Sequence, residues 1–120
     1  MQLEKKEIQR VQMLDNALRF ARARLTADIT AQRLLILISV FQHEGMSQRE
    51  LLQTLESTSI TALSRNIADL SGLTTKKLPG PGLLELRVDP MNLRVKRIYL
   101  TKKGRAFIKR WLKVMAEGRS

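Results

Sequence analysis

Arg65, Arg94, Lys96 and Arg97, with the adjacent pair Lys76 and Lys77, are the side chains of this sequence whose types and positions suit a defined chemistry. A guanidinium presents a planar fork of donors that matches phosphate oxygens or the edge of a guanine, and an ammonium brings a compact positive charge to the same oxygens. No comparable set exists for breaking bonds. The chain has no cysteine and one histidine, His43, which has no acid or cysteine at ligand spacing and reads as structural. The eleven acids are scattered over basic or helical stretches, and neither a phosphate-binding loop nor a nucleophile with a nearby base occurs. The expectation is a protein that is not an enzyme and needs no metal or other cofactor.

The net charge of +11 is unevenly spread: residues 1–60 carry 8 Lys/Arg against 7 Asp/Glu, and residues 61–120 carry 14 against 4. Such a field draws polyanions, of which nucleic acid is the commonest, although a basic face that only keeps a chain soluble has the same composition. At 120 residues, 43% apolar and 28% charged, the composition is that of a single folded domain. The start, Met1 to Lys6, alternates charge and lacks the apolar core of a secretion signal, and the absence of cysteine suits a reducing compartment. The longest apolar stretch, Leu34 to Phe41, is far short of the roughly 20 residues that cross a bilayer. A cytoplasmic location with no membrane partner is expected.

The elements that must position those cations follow from periodicity. Val11, Leu14, Leu18, Ala21 and Leu25 recur at spacings of 3 and 4, which predicts one long helix over residues 3 to 25. Thr30 can cap a second, densely apolar helix that stops at Gly45 and reads as buried on several sides. Ser47-Gln48-Arg49-Glu50 is a capping box that opens a short third helix, ended by the polar cluster Glu56 to Ser59. From about Thr58 to Leu70, Ile60, Leu63, Ile67 and Leu70 form one apolar face, opposite Thr58, Thr61, Ala62, Arg65 and Asp69. Ser71 to Gly82, with three glycines and two prolines, is a loop. Leu84 to Val88 and Val95 to Leu100 read as strands joined at Asp89-Pro90-Met91-Asn92, with arginines and lysines near the tip, and Thr101 opens a last helix bearing Phe107, Ile108, Trp111, Leu112 and Met115.

A short helix, a turn, a helix with a small polar face and then a basic hairpin is the order of a winged helix-turn-helix. The fold class expected is therefore mainly α with a small β-hairpin (α+β). It comprises an N-terminal helix within residues 1–28, a core and wing over 30–100, and a C-terminal helix over 101–117. Thr58, Ser59, Thr61, Ala62, Ser64 and Arg65 would line the DNA-facing side, with Lys76, Lys77, Arg94, Lys96 and Arg97 beside it. Alternative roles remain for each: an i, i+4 pair of Arg65 with Asp69, edge-strand charges that discourage aggregation, and linker lysines.

Over about residues 8 to 112 the sequence resembles the multiple-antibiotic-resistance regulator (MarR) family of winged-helix proteins. Asp89-Pro90-Met91-Asn92-Leu93-Arg94 resembles the family's D-P-x-D-x-R turn, and Leu100-Thr101-Lys102-Lys103-Gly104-Arg105 its L-T-x-x-G-R. Thr30-Ala31-Gln32-Arg33 resembles its T-x-Q-R, and Ala62-Leu63-Ser64-Arg65 stands where its recognition helix has T-V-S/T-R. Asn92 replaces the second wing aspartate, the 71–82 loop is longer than usual, and little sequence follows Trp111. The resemblance implies a dimer held by the first and last helices, the fourth helix in the major groove and Arg94 in the minor groove.

The expectation is thus a homodimeric, sequence-specific double-stranded DNA-binding regulator of transcription, a repressor. Its interface would use Val11, Leu14, Leu18, Ala21, Leu25, Ile108, Trp111 and Met115. A small-molecule effector is compatible with the sequence but has no motif. The alternatives are a DNA-binding accessory protein of replication, partition or packaging on a mobile element, and a winged-helix adaptor for protein or RNA.

Overall fold

The computed structural model describes residues 2–56, 58–73 and 76–118. In chain order these form α1 (Lys5–Arg24), α2 (Ala31–Gln42), α3 (Gln48–Leu55), α4 (Ile60–Asp69), β1 (Leu84–Asp89), β2 (Asn92–Leu100) and α5 (Lys102–Glu117). They group into two compact units, one of Thr30–Arg105 and one that joins the chain up to Ile29 with the chain from Ala106.

In the Thr30–Arg105 unit the helix starts are set locally. Thr30 Oγ1 accepts from the Arg33 amide at 3.2 Å and Ser59 Oγ from the Ala62 amide at 3.1 Å. The capping box closes as its spacing requires, Ser47 Oγ accepting from the Glu50 amide at 3.1 Å and Glu50 Oε1 from the Ser47 amide at 3.2 Å. The core is made by Ile36, Leu37 and Val40 of α2, Leu51 of α3, Leu63 and Ile67 of α4, and Leu84, Ile98 and Leu100 of the hairpin. Burying these side chains, at roughly 1.5–3 kcal/mol each, is what holds the short helices, which are too brief to persist alone.

Several boundaries differ from the sequence-based expectation. α2 ends at Gln42; Leu34, Ile36, Leu37, Ser39 and Val40 are buried around more than half of its circumference, while Leu35, Ile38 and Phe41 remain exposed. Gly45 does take a left-handed φ of 91°, but past the helix end, where it turns the chain along β2: its amide donates to Ile98 O at 2.8 Å, and Ile98 N donates to Met46 O at 2.9 Å. α4 starts at Ile60, leaving Thr58 and Ser59 ahead of it and Ile60 itself exposed. The loop from Ser71 is pinned at its base by Gly82 N to Ser71 O at 3.0 Å and Leu83 N to Leu70 O at 2.8 Å, with an isolated bridge between Leu73 and Pro79.

The root of the hairpin abuts the start of α5 closely. Thr101 N donates to Leu83 O at 3.0 Å, and Thr101 Oγ1 accepts from the Gly104 amide at 2.9 Å. A Cβ on Gly104 would lie 2.1 Å from Leu83 O, so no side chain fits there.

In the other unit α1 lies against the later turns of α5. Trp111 Nε1 donates to Ala17 O at 2.8 Å and Asn16 Nδ2 to Met115 O at 3.2 Å, while the Phe20, Phe107 and Trp111 rings follow one another with centroids 5.5 Å apart. Ala21, Ile108 and Trp111, expected at a dimer interface, are therefore already covered inside one chain. Leu25 and Met115 are half-buried. Val11, Leu14 and Leu18 behave otherwise: with Ile8 they form a row on α1 whose members are all more than half exposed. Among the described residues no helix is long and apolar enough to cross a membrane.

Candidate nucleic-acid interface

α4 presents the face that its periodicity foretold. With Leu63 and Ile67 buried, Thr61, Ser64 and Arg65 are exposed and Ala62 is half-buried. Short side chains around an arginine leave the helix backbone free to approach another surface closely. Asp69, expected on the same side one turn after Arg65, is half-buried. It accepts from Arg33 Nη2 at 2.7 Å in a pair whose side chains are largely covered, and Arg33 Nε donates to Asn66 Oδ1 at 3.1 Å. Arg33 thereby ties the start of α2 to the last turn of α4, a role that sequence spacing did not suggest because the partners lie 33 and 36 residues away.

Before α4, Ser59 uses its hydroxyl as the helix cap, and Thr58 is half-buried. Lys76 and Lys77 are exposed in the following loop, Lys77 in the left-handed region with φ 63°. Glycine adopts that conformation without strain and lysine does not.

The hairpin is a two-residue turn, Pro90-Met91, between strands whose register changes near the tip. Val88 pairs with Lys96 but Asp89 pairs with Asn92, so Leu93, Arg94 and Val95 bulge out without partners on β1. Bulges redirect side chains, and this one carries Arg94. Two side-chain acceptors stiffen the tip: Asp89 Oδ1 accepts from the Met91 amide at 2.8 Å and Asn92 Oδ1 from the Arg94 amide at 3.2 Å. Asn92, standing where the resembled motif has an acid, thus serves the backbone of Arg94.

Arg97 turns inward, unlike exposed Arg94 and Lys96. Its Nε donates to Asp89 Oδ2 at 3.0 Å, its Nη1 donates to Gly45 O at 3.0 Å, and Glu50 Oε1 lies 3.6 Å away. The Met91 amide, followed by the Arg97 guanidinium, holds the Asp89 carboxyl below the usual carboxylate range. The Ser47 amide and hydroxyl do the same for Glu50, with a smaller push from Arg97. Arg87 sits directly across the ladder from Arg97, a like-charge pair that would repel. It is relieved by pairing with Glu85 and by lying 4.2 Å over the Tyr99 ring. The hairpin therefore points Arg94 and Lys96 outward and uses Arg97 to fasten itself.

Among the described residues no group of three or more histidines, cysteines or acids could hold a metal, and His43 stands exposed just past α2. No protein-family model matches the chain, and no curated protein matches it by sequence. Solved structures do match. A mutant MepR from a multidrug-resistant S. aureus clinical isolate superposes with TM-score 0.64 at 22% identity, covering 98% of this chain and 79% of that one. A mutant MarR from E. coli gives 0.62 at 19%, covering 98% and 79%. A second S. aureus MepR mutant, bound to an oligodeoxyribonucleotide, gives 0.59 at 22%, covering 97% and 79%. Helix order, antiparallel hairpin and these superpositions agree, and the fold of this chain is that of the MarR-type winged-helix regulators.

Proposed function

We propose that this chain binds double-stranded DNA and regulates transcription as a cytoplasmic homodimer, repressing from a two-fold related site. The observation that carries the reading is the pairing, within one unit, of the open α4 face around Arg65 with a stiffened hairpin whose Arg94 and Lys96 point outward. α4 would enter the major groove and read base edges with Arg65, Thr61 and Ser64, while Ala62 permits close approach. Ser59 and Thr58 would lie beside the backbone at the helix start, and Arg94, Lys96, Lys76 and Lys77 would meet phosphates. The excess of cations in the second half of the chain favours the same partner, as does the superposition on a MepR structure that holds an oligodeoxyribonucleotide. The apolar row of Ile8, Val11, Leu14 and Leu18 supports a second copy of the chain as the partner of α1.

The deciding experiment is duplex binding over a range of salt. Each phosphate neutralised should contribute about −0.9 to the slope of log K against log salt, so several contacts give a steep line. Weak, salt-insensitive binding to every duplex tested would leave the adaptor for protein or RNA in its place. Coating of arbitrary DNA without a preferred site would favour the accessory role.

A further inference from the structure

Met91 and Leu93 are 92% and 77% exposed, more than any other large apolar side chain among the described residues. Neither position is accidental slack. Pro90 restricts the turn, Asp89 and Asn92 hold the Met91 and Arg94 amides, and the bulge thrusts Leu93 out beside Arg94. The chain thus builds a narrow apolar point, orders it in advance, and surrounds it with the exposed cations Arg94 and Lys96 while neutralising the nearby acid Asp89 with Arg97. A partner complementary to such a point has closely spaced anions flanking a recess with apolar walls.

A DNA minor groove has that arrangement, with phosphates on its rims and sugar and base faces within. The groove is about 6 Å wide, and the two strands of a hairpin lie about 4.8 Å apart before their side chains are counted. A tip carrying methionine and leucine enters only by widening the groove and opening a base step, which is how other apolar wedges kink a duplex.

We propose that the hairpin tip is such a wedge: Met91 and Leu93 intrude at a flexible pyrimidine–purine step and bend the duplex, while Arg94 and Lys96 hold the flanking phosphates. This rests on the DNA-binding reading above and adds to it a source of sequence preference, because steps that unstack easily are favoured at positions where no hydrogen bond reads a base.

The test uses the full chain and duplexes it selects from a random pool, end-labelled for energy transfer and carrying 2-aminopurine at pyrimidine–purine steps in the protected region. The parent should brighten 2-aminopurine at one such step per hairpin and shorten the end-to-end distance as a bend of about 20–90° requires. Met91→Ser with Leu93→Ser should abolish both signals, weaken selected-site binding by about tenfold, and leave the salt slope and thermal unfolding unchanged. Met91→Leu with Leu93→Met should restore the bend. Salt-dependent binding without bending or brightening, or a serine variant that bends as the parent does, overturns the wedge and spares the DNA-binding reading. Absence of salt-dependent duplex binding overturns both. If the serine variant bends DNA normally but no longer associates with itself in sedimentation, or no longer binds phosphatidylglycerol vesicles that the parent binds, the tip serves a protein or a membrane and the wedge is wrong.

Discussion

Arg97 clasps Asp89 across the hairpin, Nε to Oδ2 at 3.0 Å, while the same guanidinium holds Gly45 O, also at 3.0 Å, on the segment that leads into α3. One side chain thereby reinforces the backbone bonds of Gly45 and Met46 with Ile98 that register the hairpin to the helix-turn-helix. The Asp89 carboxyl is held below its ordinary value, so the stabilisation it gives is present above about pH 4 and is lost as pH falls through the lowered folded value. Asp89→Asn should therefore melt lower than the parent at neutral pH, and the gap should narrow in acid. Thermal scans from neutral to acid pH check this; a gap independent of pH would show that the charge of Asp89 has no part in it.

Arg65 and Arg94 should separate on mutation. Arg65→Ala should lose about 1–3 kcal/mol on the selected duplex and less on random DNA, because a base-edge contact is made only at the right sequence. Arg94→Ala should weaken both duplexes more equally and flatten the salt slope by about 0.9. Titrations of both variants on both duplexes at several salt concentrations provide the comparison, and unchanged binding throughout would remove this surface from the interface.

Leu14→Asp with Leu18→Asp should leave a folded monomer. Both side chains are more than half exposed in the single chain, so the cost falls on association, at several kcal/mol for charges placed in an apolar seam. Sedimentation at rising concentration reports it, and a parent that stays monomeric at the highest concentration would refute the homodimer.

Gly104→Ala and Gly72→Ala should differ sharply. The first places a methyl group where Leu83 O would be 2.1 Å away and should cost about 1–3 kcal/mol as the backbone shifts. The second meets nothing within 4 Å and should stay within about 0.5 kcal/mol of the parent. Denaturant midpoints at unchanged m-value are the measurement.

The order of elements was legible because its signals are local. The Ser47–Glu50 box, the Thr30 cap and the spacing of Leu63, Ile67 and Leu70 each depend on residues within about one turn of one another. The pairs Arg33–Asp69 and Arg97–Gly45 are 36 and 52 residues apart, and Trp111–Ala17 is 94 apart. No spacing rule reaches them. For that reason Arg97 read as a surface cation, although it fastens the hairpin, and the pairing of Asp69 with Arg33 had no signal in the sequence. The apolar stripe of α1 shows a related limit: periodicity identifies a face to be covered but not the chain that covers it. Ala21 is covered by its own chain, whereas Val11, Leu14 and Leu18 are left exposed.

The placement of two aromatic side chains makes the protein readable from within. Its one tryptophan, Trp111, is buried in the unit built from α1 and the later part of α5, and its one tyrosine, Tyr99, belongs to the unit that carries α4 and the hairpin. Indole emission is thus an intrinsic gauge of the first unit, and a tyrosine signal resolved from it is a gauge of the second. Chemical denaturation followed at both would show whether the units melt in one cooperative step or in two, with no label attached and no residue changed.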